Sequence, residues 1–133
     1  MLLDLTNLEK ALLSLKKAIC RTQQEPDDDE LRDSVIQRFE YSYELSWKML
    51  KRRLEIDLPT PSNIDLMGFK ELIREGAERG FIENPESWFE YRYQRNITAH
   101  TYNELKAKQV YQAALLFIED ANNLLQQLKQ RNQ

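Results

Sequence analysis

The sequence predicts an all-α fold, an up-and-down bundle of four or five helices. Two observations carry this expectation. Three glycines and four prolines in 133 residues fall well short of the roughly sixteen that average usage would supply, and a Rossmann or antiparallel β-fold needs many more turn residues. Apolar side chains also recur at three- and four-residue steps along most of the chain, the period of a helix with one buried face. The length suits a single domain spanning residues 1–133, large enough to bury a core without cross-links.

The first helix is expected from about Asn7 to Thr22, with Thr6 and Glu9 as a capping box and Leu8, Leu12, Leu15 and Ile19 facing the core. Pro26 breaks it, and the acidic run Asp27-Asp28-Asp29-Glu30 suits the positive end of the next helix dipole. Asp27 and Asp29 have a metal-binding spacing, but no upstream glycine-serine element accompanies them, so a solvated loop and helix start is the better reading. The second helix is long, from about Asp28 to Ile56. Its stripe is Leu31, Val35, Phe39, Tyr43, Ser46, Leu50 and Leu54, widened by Trp47 and Met49. Lys48, Lys51, Arg52 and Arg53 crowd its far end, where cations suit the negative dipole end, with a phosphate-contacting patch as the alternative.

Pro59 and Pro61 predict an extended connection, with Ser62 or Asn63 capping a third helix that buries Leu66, Phe69, Leu72, Ile73 and Ala77. Gly80 is placed to stop that helix in a left-handed cap. Asn84-Pro85-Glu86 is a start signal of cap, first-turn proline and acid. The fourth helix then carries Trp88, Phe89, Tyr91 and Tyr93, more aromatics than one stripe absorbs. Trp88, Tyr91 or Tyr93 is therefore expected at an interface with a partner chain. Asn103 caps a last helix that uses Leu105, Val110, Ala113, Ala114, Phe117, Ala121, Leu124, Leu125 and Leu128, and the polar tail from Gln126 to Gln133 is expected to fray.

Composition narrows the function classes. Cys20 is the only cysteine, which excludes a disulfide framework and a cysteine zinc cage and fits the cytoplasm. No membrane-length apolar run and no signal peptide is present, so no membrane partner is expected. A net charge of −3 argues against broad non-specific nucleic-acid binding, though not against a small basic pocket. His100 is the only histidine, so paired-imidazole catalysis within one chain is excluded.

The neighbourhood of that histidine is the richest in chemistry. In Arg92-Tyr93-Gln94-Arg95-Asn96-Ile97-Thr98-Ala99-His100-Thr101-Tyr102, a continuous helix puts Asn96 one turn before His100 on the same face. Arg95 then sits about 140° around the axis from His100. The two converge only if the helix ends or distorts between them, or if the partners come from another chain. His100 and Tyr102 share a side if the chain is extended there. A guanidinium fork binds phosphate bidentately, and imidazole moves protons near neutrality. The plainer reading is a histidine packed at a helix end beside Asn96.

Arg95 through Tyr102 resembles the motif of HEPN domains: arginine, four residues, histidine, one residue, tyrosine. Arg38 through Lys48 is similar to the second-helix signature of one branch, the nucleotidyltransferase substrate-binding proteins paired with a minimal nucleotidyltransferase. The resemblance runs from about Leu8 to Leu128, and no motif position departs from it. It implies a HEPN-like helical homodimer whose two motifs face each other, acting as a metal-independent endoribonuclease toxin without cofactor. It also implies a nucleotidyltransferase antitoxin that transfers AMP to the motif tyrosine. Carried over, Arg95 would hold the scissile phosphate, Asn96 would orient it or the histidine, and His100 would be the acid and base. Tyr102 would be the AMP acceptor, with Arg92 and Tyr93 as neighbouring substrate contacts. The alternative is a non-catalytic subunit that presents nucleotide or substrate to the nucleotidyltransferase. Net acidity leans toward this alternative, and the intact motif toward the nuclease.

Overall fold

The computed structural model describes residues 2–58, 64, 66–100 and 103–132, with the backbone alone at 98–100. Five helices lie among the described residues: α1 (Thr6–Gln24), α2 (Asp29–Asp57), α3 (Phe69–Glu78), α4 (Pro85–His100) and α5 (Glu104–Gln130). The fold is all-helical, as the glycine and proline content and the periodicity predict. None of these helices is long and apolar enough to cross a membrane.

In α1, Leu8, Ala11, Leu12, Leu15, Ala18 and Ile19 form the buried face. The expected capping box does not form. Thr6 is already inside the helix, and the position before it is Leu5, which makes no side-chain cap. The Asp4 carboxylate instead accepts the Thr6 N–H at 3.0 Å, and that bond holds the Asp4 carboxyl below its ordinary range. Burial of Leu5 fixes where the chain enters. The second helix starts one residue later than expected, at Asp29, and Asp28 is its cap: the Asp28 side chain accepts the N–H groups of Glu30 and Leu31 at 2.9 and 3.2 Å.

Helix α2 packs against all four other helices. Its predicted stripe is the spine of the bundle, with Val35, Phe39, Tyr43, Leu50 and Leu54 essentially inaccessible. The dipole reading of its cations needs correction, because the last turn holds no basic residue. Arg53 instead lies buried, bonded to Asp57 at 2.9 Å and to Asn132 at 3.5 Å.

Ser62 and Asn63, expected as caps, and the prolines before them lie outside the described residues. Helix α3 starts after Gly68 with no side-chain cap. Leu66, expected on its buried face, precedes it and is 85% exposed. Its end follows the prediction. Gly80 has φ +86°, its N–H reaches the Ala77 carbonyl, and the Phe81 N–H reaches that of Gly76, the crossed pair of a Schellman cap. A methyl group at Gly76 would sit 2.9 Å from Leu50 Cδ2, so glycine permits α3 to approach α2 closely.

Asn84 caps α4 by accepting the Glu86 N–H at 3.1 Å. The expectation of partner-facing aromatics is overturned for two of the three candidates. Trp88 and Tyr91 are 2% and 3% exposed within this one chain, because the core is thick enough to hold both. They close edge-on around Phe117 of α5, at 5.7 and 5.3 Å between ring centres, and Phe39 does the same at 5.2 Å. The Tyr91 hydroxyl donates to Asp120. Burial and that carboxylate push the phenol well above its usual range. Tyr93 is the candidate that stays on the surface.

Asn103 caps α5 through the Lys106 N–H at 2.9 Å. Leu105, expected in the core, falls on the outer face of the first turn and is exposed. Among the described residues, the tail is fastened through Asn132 rather than frayed. Leu128 is fully buried, and the Arg131 guanidinium stacks 4.3 Å over Phe81. The Asn132 amide pairs with both the N–H and the carbonyl of Leu3, at 2.7 and 2.9 Å.

Candidate functional site

Capping at Asn84 and burial of Trp88 and Tyr91 set the rotation of α4. The helix therefore turns Arg92 and Arg95 toward α2 and α3. There they line a cleft of about 380 Å³ together with Tyr43, Glu44, Trp47 and Lys51 of α2 and Phe69 of α3. The Arg92 guanidinium lies 4.4 Å from the centre of the Phe69 ring, a stacked cation–π contact. Arg95 meets Glu44 at 2.8 Å and donates to the Asn96 side chain at 3.3 Å. Glu44 also faces Lys48 at 3.7 Å.

Among the predicted site residues, Arg92 and Arg95 share the cleft, and the Asn96 side chain meets Arg95. Tyr93 points elsewhere and is 59% exposed, so it does not line the cleft. The helix neither ends nor breaks between Arg95 and His100. The two positions are therefore separated by about 140° around one axis, and the expected end or distortion of the helix between them does not occur. The His100 side chain and Tyr102 lie outside the described residues.

Helical periodicity does not reveal the cleft's other walls. Glu44 is the counter-ion of Arg95, and Tyr43, Trp47 and Phe69 supply its aromatic surface. The available signal was the second-helix signature, which contains Tyr43, Glu44 and Trp47; helical periodicity assigned two of them to the core instead. Tyr43 is almost completely buried. Burial pushes its phenol well above the ordinary range, with Glu44 adding to that and Arg92 and Arg95 opposing it.

Chemically, two guanidinium groups at a cleft edge can hold a phosphate, and a carboxylate that neutralises one of them sets the affinity. Residues 3–130 match the family model described as nucleotidyltransferase substrate binding protein like. A Haemophilus influenzae protein named probable ribonuclease HepT is 39% identical over 139 residues, covering 98% of this chain and 95% of its own. The structure of HI0074 from the same organism, described as the fold of a substrate binding domain of a nucleotidyltransferase, superposes with a TM-score of 0.90. It shares 36% identity and covers 95% of this chain and 99% of its own. A Thermus thermophilus structure matches with a TM-score of 0.74 and 28% identity, over 91% of this chain and 98% of its own. Sequence and fold agree, and the chain belongs to the family of nucleotidyltransferase substrate-binding-like proteins.

Proposed function

We propose that this protein is a cytoplasmic endoribonuclease toxin that works as a homodimer. In this reading a minimal nucleotidyltransferase neutralises it by transferring AMP to Tyr102. The observation that carries the reading is the unbroken run of α4 through His100. Arg95 and His100 sit about 140° apart around one continuous helix, so in this reading a site using both draws them from two copies. The likeness to a protein named probable ribonuclease HepT and the intact Arg95–His100–Tyr102 spacing support it.

The chemistry then balances without a metal ion. Arg95, with Asn96 beside it, holds the scissile phosphate, and Arg92 and Tyr93 contact the flanking substrate. His100 of one copy takes the proton of the ribose 2′-hydroxyl, whose oxygen attacks the adjacent phosphorus. His100 of the other copy protonates the departing 5′-oxygen. The products are a 2′,3′-cyclic phosphate and a 5′-hydroxyl end. For neutralisation, the Tyr102 oxygen attacks the α-phosphorus of ATP on the partner enzyme and pyrophosphate leaves. The AMP adds bulk and negative charge where the substrate phosphate must sit.

The test is RNA cleavage by purified protein in EDTA. Wild type should cut, with a pH dependence around neutrality, and His100→Ala and Arg95→Lys should lose most activity. Arg95→Lys keeps the charge but not the planar fork. Wild-type rates in both variants would overturn the proposal, as would a monomer at micromolar concentration by light scattering. Tyr102→Phe should escape AMP addition by intact-mass measurement after incubation with the nucleotidyltransferase and ATP. A second reading, a binding subunit without catalysis, is favoured by the Glu44 carboxylate that already occupies Arg95. It predicts nucleotide binding with no cleavage.

A further inference from the structure

We propose that the cleft between α2, α3 and α4 receives the base of the ribonucleotide whose phosphate Arg95 holds, with the Tyr43 hydroxyl discriminating among bases. The inference rests on the phosphate-binding role given to Arg95 above, whichever of the two functional readings holds.

Four observations converge on this cleft. The Tyr43 hydroxyl is buried and has no hydrogen-bond partner among the described residues. Such orphaned groups are uncommon in folded proteins, where nearly every buried polar atom is paired. Tyr43 lines the cleft, and the charges that act on its phenol are those of Arg92, Glu44 and Arg95, which all line it too. The walls are flat: the Trp47 and Phe69 rings stand at 89° to each other, 5.9 Å apart, and the Arg92 guanidinium covers Phe69. Aromatic rings and guanidinium planes are the surfaces on which proteins stack unpaired bases.

Size and charge agree. About 380 Å³ is at the low end of ligand pockets, suited to one nucleotide unit rather than a length of strand. The described lining residues carry three cations, Lys51, Arg92 and Arg95, against the single carboxylate of Glu44, in a chain of net charge −3. An anionic ligand is favoured there. A phenol kept protonated by burial both donates and accepts a hydrogen bond, which lets it read a base edge. The same chemistry is offered by a nucleotide within RNA and by a free nucleotide.

The probes are the four ribonucleoside 5′-monophosphates, inorganic phosphate and a short oligoribonucleotide of the preferred base, followed by quenching of Trp47 fluorescence with Trp47→Phe as the blank. One monophosphate should bind at least 3-fold tighter than the other three, and all four tighter than inorganic phosphate. Tyr43→Phe should reduce that preference by about 3- to 10-fold, the loss of one neutral hydrogen bond. It should leave inorganic phosphate binding unchanged and the thermal midpoint equal or higher, since it removes an unpaired buried group. Tighter competition by the oligomer than by its monophosphate assigns the site to RNA, and the reverse assigns it to a free nucleotide. Retention of the full base preference in Tyr43→Phe, or quenching by nucleotides no stronger than by phosphate, overturns the inference. Those results leave the cleavage test untouched, whereas base-selective binding without cleavage overturns only the nuclease reading.

Discussion

Replacing Phe117 with alanine tests whether the aromatic hub of the core carries the site. Phe117 is fully buried and takes near-perpendicular contacts from Phe39, Trp88 and Tyr91, with Tyr43 tilted against it at 6.3 Å. Truncating a buried Phe to Ala costs about 3–5 kcal/mol through lost transfer energy and the cavity left behind. Edge-to-face pairs add roughly 0.5–1.5 kcal/mol beyond area, which places Phe117→Ala at the upper end, about 4–5 kcal/mol. Phe117→Leu keeps much of the volume and loses the ring contacts, and should cost about 1.5–2.5 kcal/mol. With a urea slope of about 2 kcal/mol/M, the alanine variant's midpoint should fall by roughly 2 M at unchanged slope. Trp88 and Tyr91 set the rotation of α4, and Tyr43 lines the cleft, so nucleotide affinity should weaken in the variant even where it remains folded. A loss below about 1.5 kcal/mol for Phe117→Ala would refute the reasoning, because it would mean that neighbouring rings close the cavity without help from this one.

Three further outcomes follow from single contacts. Gly80→Ala should destabilise by about 1–2 kcal/mol in chemical denaturation, because its φ is +86° and a methyl group would meet the Arg131 guanidinium at 2.7 Å. Asn132→Ala should cost roughly 1–2 kcal/mol and speed hydrogen exchange at the Leu3 amide, whose acceptor it removes. The Arg32 hydrogen bond and charge hold the Glu104 carboxyl below its ordinary range. Its contribution to stability is therefore present above the ordinary glutamate range and lost as pH falls through the lowered value. Wild type should exceed Glu104→Gln in stability at neutral pH, and pH-dependent denaturation should show the difference closing in acid.

The local features were legible because their causes lie within one helical turn. Asn84 and Asn103 each bond a backbone N–H two or three residues ahead, so residue type and spacing suffice to name the cap. Gly80 was readable for the same reason, since a left-handed stop is a property of one residue. The stripe of α2 and most of the stripe of α5 followed from helical period alone. Thr6 shows the limit: its spacing with Glu9 fitted a box, yet burial of Leu5 drew the helix start forward by one residue and handed the cap to Asp4.

The remainder was decided between segments distant in sequence. Whether Trp88 and Tyr91 meet solvent or Phe117 depends on the depth of the space between α4 and α5, which no window of the sequence contains. The polar tail is fastened because Asn132 finds Leu3 at the other end of the chain, a contact with no local pattern. The motif itself was visible as Arg95, Asn96, His100 and Tyr102, but the sequence could not say what Arg95 faces. Packing of α4 across α2 sets Glu44 against Arg95 and places Tyr43, Trp47 and Phe69 around one cleft. Residue types and short spacings fixed the helices and the chemistry on offer. The relative rotation of three helices, determined by which aromatic rings the core could hold, decided which groups share a site.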